Sequence, residues 1–208
     1  MNGATNATPS WIGHAWSHWH RPWSLMHAGW HETAAQGLGE PADDWMLRLH
    51  YPAWCAQHGL AAVLRDFKDN TWWQLLGLSA GPFEQTVRRV GLVLMFAADA
   101  RTRLQRRPGD DAAVVRWALS RTSFVPLSVV EAVRKAALPS SAASYAALSL
   151  NWCLVDMPEL QARLRLRFAP SDLEPVEKAA NLPRPVTCAW LDTLWNGAVR
   201  TGHRETVS

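Results

Sequence analysis

The clearest pattern in the chain begins at Pro82. Phe83, Val87, Val90, Leu94 and Ala98 follow one another at spacings of 4, 3, 4 and 4, the repeat of an α-helix with one apolar face. Within this run residues 90–98 are apolar without interruption, so a helix there has no polar face to turn to water and is expected at the centre of the fold. Gly91 sits in the middle of it and costs about 1 kcal/mol of helix propensity relative to Ala. A close crossing by a second helix is the expected compensation. Beyond residue 98 the pattern turns polar. Asp99 and Arg103 are spaced as an i,i+4 pair, and Arg103, Arg106 and Arg107 load the last turns, where cations suit the helix dipole. Pro108-Gly109 closes the helix, which is therefore expected over about 83–106.

The rest of the chain also reads as helix. Trp16, Trp19 and Trp23 are spaced 3 and 4 apart, with Pro22 dividing the segment into two short helices. Residues 37–41 read as a loop. A short helix is expected over 42–50, with Asp43 and Asp44 in its first turn, and another from Pro52 to about 67, weakened at its centre by Gly59. Residues 71–78 form a short apolar segment before the Ser79–Pro82 turn. Asp110 and Asp111 open a helix with the stripe Val114, Val115, Ala118 and Leu119. Ser128-x-x-Glu131 and Ser171-x-x-Glu174 have the form of capping boxes. Tyr145, Leu148, Trp152 and Val155 share one face of a helix over 142–156. Residues 160–168 are ambiguous: Leu160, Leu164 and Phe168 are helically spaced, while Leu164-Arg165-Leu166-Arg167-Phe168 alternates like a strand. Helix is preferred because no strand partner is visible. A last helix is expected over 186–200, with Trp190, Leu194 and Trp195 apolar. The expected fold is all-α: a single compact domain over 10–200, with about eight to ten helices around the buried one, a flexible N-terminus at 1–9 and a flexible tail at 201–208.

Composition narrows the picture. Hydrophobic residues make up 48% of the 208 and charged residues 19%, enough apolar material to bury a core and too much for a disordered chain. Nine of the 13 tryptophans precede residue 80. The net charge of +3 is unevenly spread: residues 83–138 hold ten basic and five acidic side chains. The three cysteines, Cys55, Cys153 and Cys188, are odd in number and far apart, which argues against a disulfide framework and for a reducing compartment. No signal peptide and no transmembrane stretch is read, since residues 90–98 fall far short of the roughly 20 a bilayer needs.

Candidate chemistry is sparse. His14/His18 and His27/His31 have the i,i+4 spacing by which two imidazoles can face one metal, but neither pair has a suitably placed acid, and no H-E-x-x-H occurs. No metal and no cofactor is expected. Cys55 and His58 lie three apart in an apolar stripe and read as core packing rather than a thiolate pair. Nucleophile-elbow, P-loop and dinucleotide-binding motifs are absent, so no catalytic residue is assigned and the chain is not expected to be an enzyme. Arg101, Arg103, Arg106 and Arg107 lack the interleaved aromatics of a nucleic-acid surface, and no nucleic acid is expected. Trp gives large apolar area with one N–H to place. Trp72-Trp73 are adjacent on one short helix and are not expected both to face the core, so one belongs at a boundary. The candidate partner-contact residues are thus Arg103, Arg106, Arg107, Trp72 and Trp73.

Leu75-Leu76-Gly77-Leu78, a Gly-Pro turn, and then Arg88-Arg89-Val90-Gly91-Leu92-Val93-Leu94 resemble the SctK family of bacterial type III secretion systems. That family carries a similar R-x-G-L-V-L run in the middle of helical chains of about this length. The resemblance covers about residues 73–105. It implies a cytoplasmic accessory subunit of the injectisome sorting platform, at the cytoplasmic face of the inner membrane. Such a subunit links the ring protein SctD to the pod protein SctQ, reaches the membrane through protein contacts alone, and has no catalytic residues. Arg89, Gly91, Leu92 and Leu94 then read as core. The competing reading is a helical regulatory protein that binds nucleic acid or a metal ion.

Overall fold

The computed structural model describes residues 10–30, 44–62, 70–99, 111–179, 185 and 188–205. Among the described residues there are eleven α-helices and no strand, one helix more than the upper expectation. In chain order they are α1 (Ser10–His20), α2 (Asp44–Leu49), α3 (Tyr51–Gln57), α4 (Thr71–Leu76), α5 (Ala80–Ala98), α6 (Ala112–Thr122), α7 (Leu127–Lys135), α8 (Ala142–Cys153), α9 (Pro158–Arg165), α10 (Pro170–Lys178) and α11 (Cys188–Glu205). Two 3₁₀ turns, Pro22–Ser24 and Ala28–Trp30, follow α1.

The apolar helix α5 is the axis of the fold. It packs against α6, α7, α8 and α11, and every side chain from Arg89 to Ala97 is buried. Gly91 is where α8 crosses. A Cβ built there would stand 1.8 Å from the carbonyl oxygen of Ala142, the first residue of α8. The obstacle is backbone, which no rotamer change can move, so only glycine admits this approach. The helix ends sooner than its polar continuation suggests: it stops at Ala98, and Asp99 has extended backbone (φ −135°, ψ 111°). The i,i+4 pairing expected between Asp99 and Arg103 has no helix to carry it from Asp99; Arg103, Arg106 and Arg107 lie outside the described residues. Arg134 Nε donates to the Ala98 carbonyl (2.8 Å), a cation from another helix serving the C-terminal end of α5.

Helix starts are set locally. The Asn70 side chain accepts from the Trp72 and Trp73 amides, and Asp111 accepts from Ala113 N (2.7 Å), each satisfying first-turn donors. Ser141 caps α8 in the same way. Neither expected capping box forms: α7 begins after Pro126 and α10 begins with Pro170, so Ser128 and Ser171 already lie inside their helices. Proline fixes φ for a helix start without needing an N–H partner, and here it decides the boundary ahead of the serine. The helix expected from Pro52 to about 67 ends after Gln57, because Gly59 adopts a left-handed φ of 64° and stops the helix. The ambiguous 160–168 segment is helical through Arg165 and leaves by successive i→i+3 turns at Leu166, Arg167 and Phe168. The last helix runs on to Glu205, past the tail expected from residue 201; residues 1–9 and 206–208 lie outside the described residues.

Two cores result. The larger gathers α5 with the inner faces of α1, α4, α6, α7, α8, α9, α10 and α11. The smaller holds Trp23, Met26, Trp54, Cys55, Leu60 and Leu166, around α3 and the 3₁₀ turns, with Leu47 of α2 packed against it.

Candidate functional site

The sequence-derived candidates separate on inspection. Trp72 and Trp73 are both buried, at 6% and 4% exposure, contrary to the expectation that one would reach a boundary. The physical reason is that α4 is covered on both sides. Trp73 stacks on Trp19 of α1 (centroids 5.1 Å) and Trp72 on Trp195 of α11 (5.7 Å). They belong to the core and offer no contact surface. Arg89, Leu92 and Leu94 are buried as expected.

Of the i,i+4 histidine pair on α1, His18 is committed to local structure. The His14 and His18 rings lie 6.4 Å apart, but His18 Nδ1 is engaged by the Leu76 carbonyl at the end of α4. Burial, with the Arg167 charge close by, holds His18 far below its ordinary value, at about 4, so it is neutral at physiological pH. His31 lies outside the described residues. Among the described residues no three His, Cys, Asp or Glu side chains gather in a way that could hold a metal ion. Cys55 is buried, and the His58 ring stacks on Trp54 (4.3 Å), as core packing would have them.

Of two arginines missed by the sequence reading, Arg163 ties Tyr51, packed against the small core, to Trp19 of the large one, while Arg167 serves the large core. Arg163 and Arg167 are one helical turn apart at the end of α9, and both are buried. Arg167 lies over the Phe83 ring (3.7 Å) and donates to the carbonyls of Leu75, Leu76 and Ser79 (3.2–3.3 Å). It thus adds a charged donor to carbonyls at the α4–α5 junction, where Leu75 O also accepts from Leu78 N and Ser79 O from Phe83 N. Burial brings its pKa down to about 9, still charged at neutral pH. Arg163 lies over Trp19 (3.9 Å) and donates to Tyr51 Oη (2.9 Å) and to the Ala61 carbonyl. Tyr51 Oη in turn donates to the Trp19 carbonyl (2.9 Å), and burial raises its pKa. The signal was the Arg-x-x-x-Arg spacing on an otherwise apolar stripe with Leu160 and Leu164.

A cleft of about 430 Å³ lies beside this strut, between α5 and the N-terminal ends of α8 and α10. Phe83, Val87, Leu92 and Phe96 line its floor, with Glu84 and Arg88 along one edge. Asp172 faces them and is taken up by Ser141 Oγ (2.6 Å) and Ser144 Oγ (3.4 Å). Its acidic and basic side chains balance, and its one buried cation, Arg167, already serves backbone carbonyls.

The surface offers a better candidate. At the corner between α6 and α7, Phe124 is 71% exposed and Leu127 79%, with Leu119 on the outer face of α6 at 42%. The inner faces of the two helices are filled by Val114, Ala118, Val129 and Val133, all buried, so the corner residues have no core left to join. The sequence carried a signal for this. Phe124-Val125-Pro126-Leu127 is an apolar run in a connection, and a turn has no helical face on which to bury it. Comparisons with family models, curated proteins and solved structures give no match to this chain.

Proposed function

We propose that the chain is a cytoplasmic adaptor subunit of a type III secretion sorting platform, similar to SctK, linking the inner-membrane ring protein SctD to the pod protein SctQ. The observation that carries this reading is the position of the run that resembles the family. Arg89-Val90-Gly91-Leu92-Val93-Leu94 is the buried axis of the helical domain, and its glycine is required by a backbone crossing. A motif that determines the packing of a fold is the kind a family retains while its surface diverges. The all-helical architecture agrees with the reading, and so does an exposed apolar corner of the sort protein-binding surfaces use. None of the described helices is long and apolar enough to cross a membrane, which fits attachment to the membrane through protein partners.

The test is direct. The purified chain is mixed with the SctD cytoplasmic domain and with SctQ encoded in the same genome, and binding is followed by calorimetry. Saturable binding to either, at micromolar affinity or tighter, is expected. Absence of binding to both overturns the reading.

A further inference from the structure

We infer that the α6–α7 corner is a docking surface for an acidic amphipathic helix of a protein partner. The surface has three parts. Phe124 and Leu127 stand in solvent three residues apart, across the turn that joins the two helices. The outer face of α6 leads up to them through Leu119, Ser120 and Ser123, all exposed. Ser120 and Ser123 put small hydroxyl side chains beside the larger apolar ones, and an amphipathic helix laid across them would turn its apolar face to Leu119, Phe124 and Leu127.

The charge around these exposed apolar residues selects the ligand. Arg116 is exposed, one turn before Leu119. Arg121 is held in place: its guanidinium lies 4.0 Å over the Trp117 ring, and Nη1 donates to the Trp117 carbonyl (3.3 Å) and to Ser120 Oγ (3.0 Å). A cation fixed in advance loses little side-chain freedom when a carboxylate arrives. On α7, Glu131 is exposed one turn after Leu127, and Arg134 and Lys135 follow it. Beside the apolar residues, then, α6 carries only cations, Arg116 and Arg121, while α7 sets Glu131 ahead of Arg134 and Lys135. A bound helix is oriented by this, with its carboxylates over Arg116 and Arg121.

The same features disfavour other occupants. A second copy related by a two-fold axis brings Arg116 and Arg121 against their own kind. An anionic membrane meets Glu131 at the edge of the apolar patch, and two apolar side chains bury too little to hold a bilayer. The inference uses the adaptor reading only in expecting a protein ligand; it does not depend on which protein that is.

The probe is a synthetic amphipathic helix of about 16 residues, Leu on one face and Glu on the other, with a Lys counterpart as control. Binding to the full chain is read by fluorescence anisotropy. The acidic peptide is expected to bind saturably, about tenfold or more tighter than the basic one, and to weaken with salt. Phe124→Ser and Leu127→Ser should each weaken it by about tenfold, with an unchanged melting temperature, and Arg116→Glu combined with Arg121→Glu by more. Equal binding of the two peptides, or undiminished binding by the Ser variants, overturns the inference, as does no binding at all. So does a dimer in sedimentation that Leu127→Ser dissolves, or binding to phosphatidylserine vesicles that Phe124→Ser abolishes. Failure here is distinguishable from failure of the adaptor reading. If SctD or SctQ binds both Ser variants as it binds the parent, the corner is excluded and the adaptor stands. If neither binds the parent while the acidic peptide does, the adaptor falls and the corner stands.

Discussion

The two cores of this protein are built by different means. Along α5 the buried side chains are mainly aliphatic and follow the helical period, one glycine brings two backbones together, and the buried tryptophans of this larger core come from α1, α4, α8 and α11. Around α3 and the first 3₁₀ turn the packing is aromatic, with Trp23 set edge-on against Trp54 and Tyr51 (5.6 and 6.0 Å). Polar ties hold that region: Trp23 Nε1 donates to Asp44 (3.0 Å), Trp30 Nε1 donates to the Phe168 carbonyl (2.8 Å), and Arg163 donates to Tyr51. A long apolar helix can bury itself on every side and needs few directional contacts. Short helices of six or seven residues, such as α2 and α3, cannot. They have little face to bury and little stability of their own, so large rings and hydrogen bonds to a neighbouring helix substitute for area. The first core is expected to fail by overpacking and the second by loss of a single tie.

The largest effect is expected at Gly91. Gly91→Leu places a side chain where the Ala142 backbone already stands, and should destabilise the protein by about 3 kcal/mol or more, since the backbone itself must shift. Denaturant unfolding reads this. A midpoint within error of the parent would mean that α8 crosses elsewhere.

An intermediate effect is expected at Arg163. Arg163→Ala removes the stack on Trp19 and two donated hydrogen bonds, at a cost of about 2–3 kcal/mol. Hydrogen exchange should show faster opening of α1 and α3 than of α5. Arg163→Met keeps much of the volume without the buried charge and should recover most of the loss. If the Met variant is as unstable as the Ala variant, the hydrogen bonds hold the small core; if it recovers, the stack does.

The smallest effect is expected from pH. His18 has a folded pKa near 4, below its ordinary 6.5, with burial the main cause. Between those values the unfolded chain binds the proton more readily than the folded one. The stabilisation is therefore complete above about pH 6.5 and declines as the pH falls towards 4. Screened by solvent at this partly open position, it should amount to about 1–2 kcal/mol. His18→Gln should flatten that part of the stability profile. An equally steep profile in the variant would move the effect to another group.

The helical pattern of α5 could be read from its own residues because burial on all faces is a property of one segment. The need for a close crossing at Gly91 followed from the cost of glycine in such a helix. The charged run at 101–107 misled about its length, because side-chain spacing reports compatibility with a helix and not the backbone that ends it at Asp99. The candidate site was less legible. Trp72 and Trp73 looked like boundary residues when α4 was imagined against one neighbour, and only the arrival of α1 and α11 on opposite sides buries both. The apolar run at Phe124 and Leu127 is equally compatible with burial under another element, so only the structure shows that it is exposed.

The sequence by itself determined what depends on neighbours in the chain: the all-helical class, the axis at α5 and the helix start at Asp111. Tertiary structure decided what depends on partners distant in sequence. It turned Arg163 and Arg167 inward onto Trp19 and Phe83, drew His18 to the end of α4, closed both sides of α4, and left the α6–α7 corner uncovered. The reason is that period and propensity are local quantities. Exposure and charge pairing are set by which faces meet, and those contacts join residues as far apart as Tyr51 and Arg163.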